Sequence, residues 1–187
     1  MADTLVYNPR AVFDERAQAE SFEGLAMPLF DSVFNFARWL TQNREEAEDL
    51  VQETYVKALR GFGSFQPGTN FRAWIFRILR NTFLTSRTGL KATMTVPLEE
   101  EQEATLPGPP DTPETLLLAS ADQAMVREAL EGLPVIFREV LLLGDVEEMS
   151  YQEISEAVGI PMGTVMSRLA RARRALREAV QKKQRKG

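Results

Sequence analysis

Seven prolines and glycines crowd into residues 89–113 (Gly89, Pro97, Pro107, Gly108, Pro109, Pro110 and Pro113), together with the acidic cluster Glu99, Glu100, Glu101 and Glu103. Proline supplies no amide hydrogen and fixes φ, so no continuous helix runs through such a stretch. Its composition also offers too little apolar surface to offset the entropy of ordering the chain. The segment reads as a linker. It leaves an N-terminal extension at 1–21, one domain at 22–88 and a second at 114–187, each small but, at 44% hydrophobic content, able to bury a core.

Both flanks carry helical rather than strand periodicity. Upstream, Phe22, Leu25, Ala26, Leu29, Phe30, Val33, Phe34, Ala37 and Leu40 recur at the helical period, with Pro28 placed to start, kink or split the helix. Ala47, Leu50, Val51, Tyr55, Ala58 and Leu59 mark a second helix that stops near Gly61, and a third runs from about Phe71 to Arg87. Downstream, 114–131 reads as a helix, Leu133-Pro134 as a break and 135–144 as an apolar helix. Ser150 and Glu153 form a capping box that opens a short helix with Tyr151, Ile154, Ala157 and Val158 on its buried side. Gly159 ends it, and Pro161 suits the first turn of a last helix reaching about Val180. The fold class is all-α: a three- or four-helix bundle, a flexible linker and a second small helical domain.

The chain contains no cysteine and no histidine. Disulfide frameworks, thiolate or imidazole metal sites and histidine-based acid–base catalysis are therefore excluded, and the expectation is a protein with no cofactor and no enzymatic role. No apolar run is long enough to span a bilayer, and MADTLVYNPR lacks the charged-then-apolar pattern of a secretory signal, so a cytoplasmic location without membrane insertion is expected. The net charge of −5 is unevenly spread: residues 161–187 hold nine Lys/Arg against the single acid Glu178, which leaves −13 on residues 1–160. An acidic body ending in a basic helix points to a localised nucleic-acid contact.

A short capped helix, a glycine-bearing turn and a long basic helix make up a helix-turn-helix, whose second helix enters the DNA major groove. At about 100° per residue, Val165, Leu169, Ala172, Leu176 and Ala179 gather on one side of that helix. Gly163, Met166, Ser167, Ala170, Arg171 and Arg174 gather on the other. Gly163, Thr164, Met166, Ser167 and Ala170 are the candidates for close groove approach, and Arg168, Arg171, Arg173 and Arg174 for base edges or phosphates. The bland alternative is a solvated amphipathic helix.

In the helix from Phe71 to Arg87, Arg72, Arg77, Arg80 and Arg87 fall within a sector roughly 140° wide, opposite Phe71, Trp74, Ile75, Ile78 and Leu79. A basic stripe beside aromatics is the composition that holds single-stranded nucleic acid. Phe62, Phe65 and Phe71, with Gln66 and Asn70 in the connection GSFQPGTN, can supply a base-reading surface, and phenylalanines there serve equally well as core. The helix at 45–60 exposes Glu45, Glu46, Glu48, Asp49, Gln52, Glu53 and Lys57, which suits either a basic protein partner or plain solvation. No second carboxylate cluster or general base supports a magnesium site.

These motifs resemble the extracytoplasmic-function group of bacterial sigma factors, from about Phe22 to Thr88 and from about Glu114 to Ala179. AEDLVQETYVKAL at 47–59 is similar to the family's polymerase-binding segment, FRAWIFRILRN at 71–81 to its promoter-melting segment, and LPVIFREVLLLGDVEEMSYQEISEAVGIPMGTVMSRLARARRAL at 133–176 to its minus-thirty-five-reading domain. The resemblance implies that Asp49, Leu50, Gln52, Glu53 and Val56 meet the clamp helices of the polymerase's largest subunit, and that the C-terminal domain meets the beta flap. It also implies that Phe65, Gln66, Asn70, Phe71, Arg72, Trp74, Arg77, Arg80 and Asn81 surround flipped bases of the minus-ten element. An extruded base costs a few kcal/mol of unstacking that the site must offset.

The implied partners are core RNA polymerase, promoter DNA and an anti-sigma protein. The family usually has a basic residue where this chain has Met166, and often a larger aromatic or a histidine where it has Ala170. That departure implies an unusual minus-thirty-five sequence or heavier reliance on Arg168, Arg171 and Arg173. The lack of a central domain agrees with the short linker. The rival readings are an operator-binding transcription factor, a metal-dependent nuclease and a polymerase- or anti-sigma-binding decoy.

Overall fold

Pro28 divides the first apolar stretch. In a computed structural model that describes residues 21–88 and 123–185, a helix at 21–26 (α1) gives way to a 3-10 turn, Met27–Leu29, with the proline in its opening positions, and then to α2, Phe30–Thr41. Gln42 takes a left-handed conformation, φ 57°, and closes α2. Asn43 at once caps α3, Arg44–Gly61, its Oδ1 accepting from the amides of Glu45 and Glu46 at 2.9 and 3.2 Å. A 3-10 turn, Phe62–Ser64, and a loop turning at Gly68 (φ 89°) lead to α4, Phe71–Thr88. Asn70 caps α4 by accepting from the Ala73 amide at 3.0 Å.

The second half comprises α5 (Gln123–Glu131), α6 (Val135–Leu141), a π turn (Leu142–Val146), α7 (Tyr151–Val158) and α8 (Met162–Gln184). Among the described residues there is no strand. The linker expected at 89–113, the extension before Ser21 and the first part of the helix expected at 114–131 lie outside the described residues. In the first half α2, α3 and α4 pack around Val33, Phe36, Ala37, Leu40, Val51, Ile75, Phe76 and Leu79. In the second, Val140 to Leu143 pack against Ile154, Val165, Leu169 and Leu176.

Three expectations need correction. The helix expected at 135–144 is α-helical only to Leu141. It continues as a π turn, in which the Glu147 amide reaches the Leu142 carbonyl at 2.8 Å. The turn brings Gly144 so close to α8 and α7 that a Cβ there would lie 3.2 Å from Leu169 Cδ2 and 3.4 Å from Ile154 Cδ1, so no larger residue fits without displacement. Tyr151 is exposed rather than buried, because as the first residue of α7 it lies a full turn before Ile154, where contact with the core begins. The last helix extends to Gln184, burying Val180 where Ala179 was expected, and Pro161 stands at its N-cap rather than inside its first turn.

The capping box is present as read: Ser150 Oγ accepts from the Glu153 amide at 3.3 Å, and the Ser150 amide donates to Glu153 Oε2 at 2.7 Å. The bond from the Ser150 amide is the largest of the causes that hold the Glu153 carboxyl below the usual range. Ser150→Ala is expected to cost about 1 kcal/mol, or roughly 4–8 °C in Tm for a domain of this size, as read by thermal unfolding followed by circular dichroism.

The two halves meet along one seam: α4 lies against α7, and α2 against α6. Arg138 of α6 crosses it, donating to the carbonyls of Leu130, Glu131 and Leu133 on its own side and to Trp39 at the end of α2. Gln42 Nε2 donates back across the seam to the Glu131 carbonyl at 2.8 Å.

Candidate nucleic-acid interface

The helix-turn-helix is set by the capped α7, Gly159 at φ 74° and the long α8. The apolar stripe Val165, Leu169, Ala172 and Leu176 is fully buried. On the opposite side Gly163, Met166, Ser167, Ala170 and Arg174 are exposed, with Thr164 and Arg171 half-buried at its edge. The expected DNA face is therefore open and continuous at the N-terminal end of α8.

Two of its expected members are turned elsewhere. Arg173 pairs with Asp145 at 2.6 and 3.2 Å, a bond that raises the guanidinium pKa further. Arg168, 17% exposed at its side chain, lies 3.9 Å from Glu139. The helical period explains this: positions 168 and 173 each stand about 70° from the centre of the apolar stripe, on its two margins, whereas 163, 170 and 174 stand about 130–170° away. Marginal arginines run their stems along the core and end on acids of the same domain.

On the first domain, Phe22, Phe62, Phe65, Phe71 and Trp74 form one aromatic cluster, with Phe65 5.3 Å from Phe71 and 5.2 Å from Trp74 between ring centroids. Phe71 is core at 7% exposure, while Phe65 and Trp74 are half-buried and each shows part of a ring. Phe71 thus follows the core reading, while Phe65 and Trp74 leave ring surface accessible. Gln66, Arg77 and Asn81 are exposed.

The other members of the expected strand-binding set contact the second domain. Asn70 Nδ2 donates to Glu153 Oε1 at 2.6 Å. Arg72 Nη2 donates to the Glu147 carbonyl at 2.6 Å and to its Oε2 at 2.8 Å. Arg80 pairs in bidentate fashion with Glu139 at 2.7 and 3.1 Å. Sequence reasoning missed these acidic partners and Arg138. The available signal was Arg138-Glu139 itself, two charges inside the apolar run VIFREVLLL, where unpaired charge is too costly to persist.

On α3, Asp49, Gln52, Glu53 and Val56 are exposed and fall within a sector of about 100°. Leu50, expected on the same surface, is only 6% exposed and packs into the bundle beneath it. Glu48 is engaged by Arg44, Glu53 by Lys57 and Glu46 by Arg87. Among the described residues no group of three or more acids or other donors is arranged to hold a metal ion, and no helix is long and apolar enough to cross a membrane.

A helical bundle with a basic, aromatic-flanked helix, joined to a helix-turn-helix with an open face, defines a two-domain helical DNA-binding protein. Sigma-70 region 2 matches residues 26–92, and Sigma-70, region 4 matches residues 123–176. The chain is 36% identical over 177 residues to the ECF RNA polymerase sigma factor SigE of Mycolicibacterium smegmatis, covering 92% of this chain and 67% of that one. It is 31% identical over 164 residues to the RNA polymerase sigma factor YlaC of Bacillus subtilis, covering 87% and 94%. The sigma factor RpoE of Bartonella quintana, solved in complex with the anti-sigma factor NepR, superposes with a TM-score of 0.68 at 29% identity, covering 87% of this chain and 98% of that one. The protein belongs to the extracytoplasmic-function group of sigma factors. It is a transcription initiation factor and not an enzyme.

Proposed function

We propose that the two faces divide the work of initiation. The exposed sector Asp49, Gln52, Glu53 and Val56 of α3 docks on the clamp helices of the polymerase's largest subunit, with Leu50 holding the helix in place from beneath. Phe65 and Trp74 provide the stacking surface for an unpaired minus-ten base, and Arg72, Arg77, Arg80 and Asn81 line the path of its strand. Gly163, Thr164, Met166, Ser167 and Ala170 lie against the minus-thirty-five major groove, flanked by Arg171 and Arg174. Arg168 and Arg173 act as braces that fix α8 on its domain.

Met166 and Ala170 give this face an apolar centre, a surface suited to the methyl group of thymine rather than to a guanine edge. Residues 89–113 are the tether between a region 2 domain at 22–88 and a region 4 domain at 114–187. The protein works in the cytoplasm, where the polymerase is, and an anti-sigma protein holds it inactive, as the complex of the Bartonella relative suggests.

The single observation that carries this reading is the open, cation-flanked face of α8 on a capped helix-turn-helix, in a chain whose other half exposes a separate sector on α3. Run-off transcription with purified bacterial core polymerase tests it. Adding the protein to genomic fragments should give new transcripts that share an upstream pattern. Core binding without any transcript would instead point to a decoy.

A further inference from the structure

An apolar ridge runs along the open face of α8. Met166 is 42% exposed and Met162, one turn earlier, 53%, while Ala170, one turn later, is exposed as well. Met166, Gly163, Ala170, Arg174 and Ser167 fall within a sector of about 100° opposite the buried stripe. An exposed methionine side chain is hydrated at a cost, which is recovered when an apolar group covers it. Its flexible, polarisable thioether adapts to the shape of that group.

Hydrogen bonding at the same place narrows what the group is. Gly163, Met166 and Ala170 hold no polar side-chain atom. Ser167 Oγ donates its proton to the Thr164 carbonyl at 3.1 Å, so it offers lone pairs to the outside. Arg168 and Arg173, on the margins, face Glu139 and Asp145. Guanine shows the major groove two acceptors, N7 and O6, and meets no donor from the four central side chains. Burying those acceptors unpaired is costly. Thymine shows its C5 methyl group instead, and the adenine opposite shows an amine that can donate to Ser167.

The backbone allows close approach. Nothing lies within 4 Å of where a Cβ on Gly163 would stand, and Ala170 adds a single carbon. Met166 and Ala170 are about 6 Å apart along the helix axis, against about 3.4 Å per base pair, so the two cover about two neighbouring pairs. Arg174 stands one further turn along, where its guanidinium can grip a guanine.

We propose that α8 reads A·T pairs at the centre of the minus-thirty-five element by their thymine methyl groups, which seat on Met166 and Ala170 while Ser167 Oγ accepts from an adenine amine. Guanine is read towards the Arg174 end of the face. A contact made to one carbon has its own chemical signature. Removing the methyl group while keeping the base pair weakens binding, and adding it to a cytosine at the same step strengthens binding.

The inference rests on the proposed seating of α8 in the minus-thirty-five groove, and its test separates the two. Holoenzyme assembled from the full chain and bacterial core polymerase is offered thymine and uracil versions of a promoter found by run-off transcription, in competition. Uracil at the central minus-thirty-five steps should weaken binding about fourfold per thymine, the transfer value of one buried methyl group. With Met166→Ala the penalty at one of these steps should vanish. The substitution lies on an exposed side chain outside the core, so the fold is kept. Placing 5-methylcytosine rather than cytosine at that step should tighten binding of the native holoenzyme and leave Met166→Ala unchanged. A pattern without A·T pairs at its centre, or uracil without a penalty, would overturn the methyl readout. An equal uracil penalty in both proteins would also overturn it, assigning the preference to DNA shape. Arg174→Ala supplies the control, and should weaken thymine and uracil duplexes alike. If it does so while uracil costs nothing, α8 lies in the groove and the methyl contact is refuted. If neither Arg174→Ala nor Met166→Ala changes binding, α8 lies elsewhere and both readings fall.

Discussion

Arg138→Met should cost about 3–5 kcal/mol of stability, since each buried carbonyl left without its donor costs about 1–3 kcal/mol. The side chain is 5% exposed and its guanidinium donates to four carbonyls: Leu130 at 3.1 Å, Glu131 at 2.8 Å, Leu133 at 2.9 Å and Trp39 at 2.9 Å. Three of these acceptors belong to the end of α5 and the turn after it, where the last carbonyls of a helix have no intrahelical partner and a cation is favoured. The fourth closes α2. Burial lowers the guanidinium's pKa and the Glu131 charge opposes it, yet no other residue type offers as many donors in one plane.

Methionine keeps the length and apolar stem of arginine but takes the donor from all four carbonyls; Glu131 keeps Gln42 Nε2 and Leu130 keeps the Leu133 amide, while Leu133 and Trp39 lose the guanidinium with no replacement from the new side chain. Four such bonds summed, at about 1.5–3 kcal/mol each, would approach the whole stability of the fold, so non-additivity must cap the effect. In thermal unfolding the expected drop is on the order of 10 °C or more. A drop of only a degree or two would mean that water enters the turn and replaces the guanidinium. Lysine at this position should rescue little, since one ammonium carries three donors on a flexible stem.

Arg138 also marks where the sequence stopped being informative. Periodicity, caps and breakers were enough to locate α2, α3, α4 and α7, because those signals are local: Gly61, Ser150 and Gly159 act within a turn of where they stand. The π turn at Leu142–Val146 was not legible, since it arises from the demand that Gly144 approach Leu169 and Ile154, a tertiary requirement. For the same reason the helical wheel anticipated which residues of α8 are exposed at the centre of the expected DNA face but not which of its margins are engaged by acids. A helical wheel orders Gly163, Ala170 and Arg174 on the far side, but it does not reveal that Asp145 and Glu139 wait beside Arg173 and Arg168. Leu50 was read both ways, in the apolar period of its helix and, by the family pattern, in the polymerase-binding segment; its burial agrees with the periodicity. The whole seam escaped, because partners separated by 59 to 99 positions leave no mark on either segment.

The division of labour between the two faces has a separable signature. Arg171→Ala together with Arg174→Ala should weaken binding to duplex promoter DNA by roughly 5- to 150-fold, the range set by 1–3 kcal/mol for a lost arginine–base or arginine–phosphate contact. Retention on immobilised core polymerase should be unchanged. Asp49→Ala together with Glu53→Ala should do the reverse, lowering core affinity while leaving duplex binding by the protein alone intact, because α3 and the outer face of α8 lie on different halves. Glu53 gives up only an exposed helical pair with Lys57, worth a few tenths of a kcal/mol, so a large loss of core binding cannot be assigned to unfolding. If both double variants lost core and DNA binding together and to the same degree, one continuous surface would have to serve both partners. The open face of α8 would then lie on the polymerase rather than in the groove.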